Sequence, residues 1–417
     1  MTFNTADLER PISRRSFVRF AGAGLAFLVA SCLPSRSPAP ASSGPLPSGT
    51  TAPSPALSPS PSPAASAPTP SPSSAAVLRA KIARLMVVGF RGFTVDEAPW
   101  IRDAIRDGGL GGVILFDEEP ETGNLRNIKS PAQVSRLISD LRALAPDRRL
   151  IVAVDQEGGV VTRLSPRHGF PAVASEAQVG GEDRTAVRTW ADGLAATLAS
   201  VGVNLNLAPV ADVDVNPDNP AIGALGRSFS ADPAIVGRDA AIEIRAHHRN
   251  GVRTTLKHFP GLGSASVNTD NGIADVTTTW TQAELDPYRT LLADHLVDVV
   301  MAAHVVNGQI DPGVPASLSH ATVTGLLRET LGFDGVVITD DMHAAAIRET
   351  FGFEDAVGMA LEAGVDLLLV ANQQVRDPTV VEKVIGIVEG LIAQGRLSEA
   401  RIDESVARIE RLFPLAP

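Results

Sequence analysis

The chain has 417 residues, of which 44% are hydrophobic, 20% charged and 4% aromatic, and its formal net charge is −11. A chain of this length holds either two or three domains of about 150 residues or one large barrel. The charges are not gathered in blocks, which argues against binding to nucleic acid through charge. No apolar run reaches the ~20 residues of a membrane-spanning helix. Cys32 is the single cysteine, so disulfides within the chain and cysteine zinc sites are excluded.

The first 32 residues have the features of an export signal. Residues 13–19 are basic and contain two adjacent arginines, and residues 20–30 form a short apolar run. The arginine pair resembles the twin-arginine type of signal. Residues 28–32, Leu-Val-Ala-Ser-Cys, resemble a bacterial lipobox, in which the cysteine becomes the lipidated first residue. We therefore predict that residues 1–32 are a signal peptide and that the exported lipoprotein is attached to the outer face of the cell membrane through Cys32.

The next segment, residues 33–75, has the composition of a linker. It contains 13 prolines and one charged residue, and the rest is mainly serine, alanine and threonine. Such a segment cannot bury a core and samples extended, polyproline-like conformations. We predict a disordered linker that holds the remaining residues, 76–417, away from the membrane.

Residues 76–417 alternate between short β-branched runs and helical patterns. Stretches such as 184–200 and 233–250 carry alanine, leucine and isoleucine at steps of three and four residues, as helices do. This alternation predicts a single α/β domain, a (β/α)8 TIM-type barrel. An open doubly wound sheet is the alternative, although no Gly-x-Gly-x-x-Gly follows the first strand. The eight predicted strands are 85–90, 112–116, 150–155, 204–210, 254–258, 297–304, 335–339 and 366–370.

Polar residues follow the predicted strands at their carboxyl ends, where barrels place their active sites. Any one of these residues can be explained as a helix cap or a loop residue. Capping alone does not explain why so many polar clusters lie at the same end of the barrel. The clusters are Asp155–Gly159, Asp212 with Asp214, Lys257–Gly261, His304, and Asp340 with Asp341.

The segment Lys257–Gly263, which reads Lys-His-Phe-Pro-Gly-Leu-Gly, resembles glycoside hydrolase family 3, and within it the single-domain β-N-acetylglucosaminidase (β-N-acetylhexosaminidase) branch. The resemblance implies a glycosidase that hydrolyses O-glycosyl bonds with retention, releases terminal β-linked N-acetylglucosamine from glycans, and needs no metal and no cofactor. Further motifs match in family order: Val154–Gly159, Gly226–Phe229, Met301–His304, Pro315–Ser319 and Leu331–Met342.

The same resemblance implies a role for individual residues. Asp340 would be the nucleophile, and its neighbour Asp341 is expected to cap a helix over 342–350. His304 is expected either to line the site or only to pack beneath it. The side chains expected to hold the sugar hydroxyls are Asp155, Arg163, Arg227, Lys257 and His258.

The sequence departs from the family pattern at the acid/base. The branch carries Asp-Ser-His in this loop, whereas residues 268–270 read Asn-Thr-Asp, and Leu262 replaces a second motif histidine. Three interpretations follow. Asp270 serves directly as the acid/base with a raised pKa, another carboxyl such as Glu157 or Asp275 moves in from a loop, or catalysis is lost and the chain is a glycan-binding lipoprotein.

The missing histidine also leaves a β-glucosidase open as an alternative. Because the protein is predicted to be exported, cell-wall fragments are the expected glycan substrates. We expect a monomer that contacts the membrane by its lipid anchor only and does not bind nucleic acid. A solute-binding protein for transport is disfavoured, because it would need two lobes rather than one barrel.

Overall fold

The computed structural model describes residues 72–415, so the predicted signal peptide, Cys32 and nearly all of the predicted linker lie outside the described residues. The first helix is Pro72–Arg84, and residues 72–75, which composition assigned to the linker, therefore belong to it. A proline is tolerated in the first turn of a helix, because the N–H that it lacks would have no helical partner there. Within residues 72–415, no helix has the length and apolar character needed to span a membrane.

Eight parallel strands form a nearly closed barrel, which confirms the predicted (β/α)8 architecture. The strands neighbour each other in chain order, and the eighth also pairs with the first. A single parallel bridge between Ile338 and Leu367 joins the seventh strand to the start of the eighth. The strands are β1 (Met86–Gly89), β2 (Gly112–Ile114), β3 (Ile151–Val154), β4 (Leu205–Asn206), β5 (Arg253–Phe259), β6 (Val299–Ala302), β7 (Val336–Thr339) and β8 (Leu368–Val370).

All eight predicted strands are present, and β4 is the one whose length differs most from the prediction. Its ladder covers Leu205–Asn206 rather than 204–210. Pro209 has no N–H to donate and so interrupts the ladder. The chain nevertheless continues beside β5, because Pro209 O accepts from Lys257 N and Ala211 N donates to Lys257 O.

Helices surround the barrel and cover strands that are buried along their length. The predicted helices at 184–200 and 233–250 are observed as Arg184–Val201 and Pro233–Arg249. Asp232 accepts a hydrogen bond from Ala234 N and so caps the second of them. The other α-helices are Pro99–Arg106, Pro131–Ala143, Glu176–Val179, Asp286–Ala293, Ala345–Arg348, Phe353–Ala363, Val380–Ala393 and Glu399–Leu412, and Ala321–Thr330 is a π-helix.

Loops at the carboxyl ends of the strands carry small pairs of strands of their own. After β3, Gln156–Gly158 pairs antiparallel with Val161–Thr162. Gly158 has φ +101°, and a Cβ there would lie 2.1 Å from Ala174 O, so the close packing of this hairpin requires glycine. Ala274–Asp275 pairs with Val305–Val306 at the same end of the barrel.

Candidate active site

A cavity of about 210 Å3 opens at the carboxyl ends of the barrel strands. It contains all the residues that the sequence predicted for the catalytic and sugar-binding site. Apolar side chains complete its wall, among them Ile114, Phe116, Met301 and Leu369. The predicted residues that line it are Asp155, Arg163, Arg227, Lys257, His258, Asp270 and Asp340.

Lys257, on β5, is the centre of a buried ionic network. Its Nζ lies 3.0 Å from Asp155 Oδ1 and 2.7 Å from Glu157 Oε1. Glu157 also accepts two hydrogen bonds from Arg227, at 2.7 and 2.8 Å. The remaining Nη1 of Arg227 donates to Ala221 O at 2.7 Å, which fixes the loop that carries it. Lysine and arginine are thus held rigidly beside the cavity.

The charges in this network are fixed by their contacts. Burial alone would raise the pKa of Glu157, but Arg227 and Lys257 hold it far below its ordinary value. Burial likewise opposes the charge of Lys257, but Glu157 and Asp155 raise its pKa above the ordinary value. Glu157 is therefore an ionised partner of two cations and not a proton donor, which contradicts the interpretation in which it replaces the missing histidine.

Asp275, the other carboxyl considered as an acid, is exposed and is not among the residues that line the cavity. Its Oδ1 accepts from Thr277 N at 2.9 Å, and its hydrogen bonds to Thr277 lower its pKa. Asp270 is the carboxyl that this loop places at the cavity.

His258 is oriented by a fully buried carboxylate, Asp212. Asp212 Oδ2 lies 2.6 Å from His258 Nδ1, while Oδ1 accepts from Leu262 N at 2.7 Å. Asp212 thus orders the loop after β5 as well as the imidazole ring. Because Nδ1 is held by Asp212, Nε2 is the nitrogen that remains for a ligand in the cavity.

Asp340 follows β7 directly, and the strand fixes its position. Its N–H donates to Ala302 O at 3.1 Å, and its Oδ1 accepts from Asp341 N at 2.8 Å. Burial works against ionisation, but His304, His258, the Asp341 N–H and Lys257 together keep the pKa of Asp340 below its ordinary value. The result is a buried carboxylate in its charged form, as a nucleophile requires.

Asp341 does not cap a helix, so that expectation was wrong. The helix begins at Ala345, with Ala344 as its capping residue. Asp341 Oδ1 instead accepts from His343 N and Ala371 N at 3.1 and 2.9 Å, which ties the turn after β7 to the end of β8. Burial, followed by the negative charges of Asp340 and Asp270, raises the pKa of Asp341 to about 7 even though these hydrogen bonds lower it.

Asp270 lies at the open mouth of the cavity. Its backbone is held on both sides, because Asp270 N donates to Asn268 Oδ1 at 2.9 Å and Gln374 Nε2 donates to Asp270 O at 3.0 Å. Although the residue is exposed, the surrounding protein partly desolvates it. This desolvation and the charge of Asp340 raise the pKa of Asp270 above its ordinary value.

Arg163 lies at the edge of the charged network and lines the cavity. It faces Asp155 and Asp117 at 3.8 and 3.6 Å, and its guanidinium lies over the Phe116 ring.

His304 is fully buried and is not among the residues that line the cavity. Its ring nitrogens contact Ser317 Oγ at 2.7 Å and Asp341 O at 2.9 Å, so it packs beneath the site.

Sequence reasoning missed the roles of Glu157 and Asp212. A signal for Glu157 was present, because Asp155 and Glu157 are two residues apart in an extended segment and so point to the same side. No comparable local signal exists for Asp212. Its partner His258 is 46 residues away in the chain and is brought near by the barrel.

The fold and the cavity define a barrel glycosidase, an enzyme that hydrolyses O-glycosyl bonds. Such enzymes use two carboxyl groups, one ionised and one protonated, whose environments separate their pKa values. The chain belongs to glycosyl hydrolase family 3, whose N-terminal domain matches residues 77–412.

Relatives with known names support this placement. The chain is 35% identical over 318 residues to a β-hexosaminidase of Xylella fastidiosa, which covers 73% of this chain and 87% of that protein. It is 30% identical over 344 residues to β-hexosaminidase A of Pseudoalteromonas piscicida, which covers 76% of this chain. The match spans only 56% of the Pseudoalteromonas protein.

Solved structures show the same fold. A family 3 β-N-acetylglucosaminidase from Paenibacillus sp. superimposes with a TM-score of 0.73 at 33% identity, covering 80% of this chain and 62% of that one. A β-N-acetylhexosaminidase from Beutenbergia cavernae superimposes with a TM-score of 0.71 at 31% identity, covering 80% of this chain and 97% of that one.

Proposed function

We propose that this protein is a retaining β-N-acetylglucosaminidase that releases terminal β-linked N-acetylglucosamine from glycans. The observation that carries the proposal is the pairing of Asp340 and Asp270 in one cavity, with their pKa values shifted in opposite directions. The names of the related β-hexosaminidases support the sugar specificity.

In the proposed mechanism, the Asp340 carboxylate attacks the anomeric carbon and forms a covalent glycosyl-enzyme. Protonated Asp270 donates its proton to the glycosidic oxygen, so the leaving group departs as an alcohol. Ionised Asp270 then takes a proton from water, which attacks the anomeric carbon and releases the sugar with its original configuration. The Asp341 N–H fixes the orientation of the nucleophile before the reaction begins.

The five polar side chains around the cavity are proposed to hold the sugar. Charged donors and acceptors make stronger hydrogen bonds to hydroxyls than neutral ones. Their own ion pairs keep them in place without substrate, which reduces the ordering cost of binding. They are Asp155, Arg163, Arg227, Lys257 and His258.

The first test is release of nitrophenol from 4-nitrophenyl β-N-acetylglucosaminide by residues 72–417, beside Asp340→Ala and Asp270→Asn. Asp275→Asn is the matched control, because it removes an exposed carboxyl of the same loop that does not line the cavity. We expect Asp340→Ala and Asp270→Asn to lose activity and the control to keep it. Proton NMR of the first product formed distinguishes retention from inversion.

Other outcomes would replace the proposal. Turnover of the aryl β-glucoside alone would identify a β-glucosidase. Saturable glycan binding without turnover of either substrate would identify a glycan-binding protein. Loss of activity with Asp340→Ala but not with Asp270→Asn would leave the nucleophile in place and remove Asp270 as the acid.

We also propose that the protein is an exported lipoprotein, attached through Cys32 to the outer face of the cell membrane, and that it acts there as a monomer on cell-wall fragments. The support is the order and spacing of the signal motifs in residues 1–32. Cys32→Ala in the full chain should move the protein from the membrane fraction to the soluble fraction. Membrane retention of this variant would contradict the anchor.

A further inference from the structure

A groove of about 330 Å3 lies on the outer surface of the barrel, between the helices Arg184–Val201 and Pro233–Arg249. Thr290 and Asp294, at the end of the next helix, close one side of it. None of the residues that line this groove lines the catalytic cavity. The groove is therefore a separate feature that the proposed chemistry does not use.

Arginine is the dominant side chain of this groove. Five of its lining residues are arginines, and Asp294 is the one carboxylate among them. Because β4 separates the two helices in the chain, the fold brings these charges together and the sequence does not show them as a block. In a protein with a net charge of −11, such a groove concentrates anions at one place on the surface. The arginines are Arg184, Arg188, Arg238, Arg245 and Arg249.

Four of these five guanidinium groups are available to a ligand. Arg184 and Arg188 are exposed and form no ion pair with any residue that the structure describes. Arg245 and Arg249 each pair with one aspartate, and all four side chains in these pairs are about half exposed. Ion pairs between such exposed groups are weak, so an anionic ligand can replace the aspartates. Arg238, by contrast, pairs with a fully buried carboxylate.

The length of the groove favours an extended ligand over a single small anion. On the helix Pro233–Arg249, the lining runs from Ala234 to Arg249, which is roughly 22 Å at about 1.5 Å per residue. Gly237 and Ala241 share this face of the helix, and their small size lets a chain-like ligand approach closely. The planar guanidinium groups along it match the oxygens of successive phosphates, to which arginine donates two parallel hydrogen bonds.

The lining does not have the features that bind single-stranded nucleic acids or membranes. None of the lining residues is aromatic, so the groove offers no surface on which bases stack. Its apolar residues are small or, like Ile242, half-buried, whereas helices that insert into a bilayer surface expose large apolar side chains. The charge is thus left to interact with the backbone of a polymer.

We propose that this groove binds a linear polyanion that carries phosphate groups along its backbone. Such binding holds the protein on the polymer while the catalytic cavity stays open, because the two sites share no residue. The inference goes beyond the glycosidase function proposed above and does not require it.

The test is calorimetric titration of the full chain with sodium polyphosphate at a series of salt concentrations. The groove variant is Arg184→Ala/Arg188→Ala. We expect its Kd to be about tenfold higher than that of the parent. The slope of log affinity against log salt should become smaller by about two, roughly one for each lost phosphate contact.

Arg136→Ala/Arg149→Ala is the matched control, because it removes two exposed arginines outside the groove and changes the net charge equally. The control should bind polyphosphate as the parent does, and thermal melting should show that both variants are folded. Equal weakening in the two variants, or no saturable binding by the parent, would overturn the proposal.

Three further probes test the chemistry of the ligand. Polyglutamate bound as tightly as polyphosphate would show that the groove recognises charge alone, and would reject a phosphate site. Tighter binding of phosphatidylglycerol vesicles or of single-stranded DNA, lost in the groove variant, would assign the groove to a membrane or to nucleic acid instead. Because each readout is binding, a failure of the glycosidase proposal would leave these results unaffected.

Discussion

At the scale of single residues, the two carboxyl groups of the site predict an acidic pH optimum. Asp340 must be ionised and Asp270 protonated for the first step. The pKa of Asp340 lies below 3.8 and that of Asp270 above it, so kcat/KM should rise as Asp340 loses its proton and fall as Asp270 loses its own. The pH profile of kcat/KM for the aryl glycoside measures both limbs. If the alkaline limb persists unchanged in Asp270→Asn, another group is the acid.

Asp212 is a second residue whose effect can be isolated. We expect Asp212→Asn to lower kcat/KM by about 10–100-fold, the loss that removing a histidine's carboxylate partner causes at metal sites, because the amide no longer fixes the tautomer of His258. The residual activity should show an altered pH profile, which a purely structural defect would not produce.

The barrel supplies a matched control for Asp212. His248 and Asp298 form another histidine–aspartate pair of 2.6 Å at the amino ends of the strands, away from the cavity. Asp298→Asn should change stability but leave the pH profile of kcat/KM as it is in the parent. If both variants change activity alike, the effect of Asp212 is not specific to His258.

At the scale of secondary structure, one buried carboxylate joins the last helix to the barrel. Asp366, which precedes β8, accepts from Arg328 at 2.7 Å, from Ser405 at 2.7 Å and from Arg408 at 3.1 Å. It also accepts from Val337 N, and its own N–H donates to Val337 O. The helix Glu399–Leu412 and the junction between β7 and β8 thus depend on one side chain.

Asp366→Ala should therefore destabilise the fold by about 3–5 kcal/mol, because it leaves the largely covered Arg328 and Arg408, whose side chains are 12% and 22% exposed, without their partner. Urea unfolding of residues 72–417 measures this loss. Asp403→Ala is the comparison: its carboxylate pairs with Lys81 but is 51% exposed, so its removal should cost less than about 1 kcal/mol. Similar costs for both variants would show that the Asp366 network does not hold this helix.

At the scale of the whole molecule, the sequence predicted the barrel and the cavity because both follow from local patterns. Each strand was visible as a short apolar run, and each polar cluster followed one. What the sequence could not show depends on the closed barrel. Asp212 follows β4 and meets His258 on the neighbouring strand β5, although the two residues are 46 positions apart in the chain. Asp341 was misassigned because a turn precedes the helix, which no residue near Asp341 signals.

The barrel also encloses two carboxyl groups that keep their protons. Glu176 and Glu243 are 1% and 0% exposed, and burial raises both pKa values well above 4.5. The charge of Glu157 raises both further, and Glu243 adds to the effect on Glu176. Above pH 4.5 the unfolded chain releases these protons while the folded protein holds them. The folded state then binds more protons than the unfolded state, so this pair lowers stability as the pH rises from 4.5 towards neutrality.

Glu243→Gln removes one of these protons, so the free energy of unfolding should fall less steeply with pH in the variant than in the parent. Each retained proton contributes at most about 1.4 kcal/mol per pH unit to that fall. Relative to the parent, the variant should therefore gain up to that amount of stability for each pH unit above 4.5. Denaturant midpoints at pH 4.5, 6 and 7.5 measure the difference between the slopes. Glu329→Gln, which removes an exposed carboxyl, should follow the parent. Coincident slopes for the parent and Glu243→Gln would mean that Glu243 is ionised in the folded protein, and burial would then not control its proton.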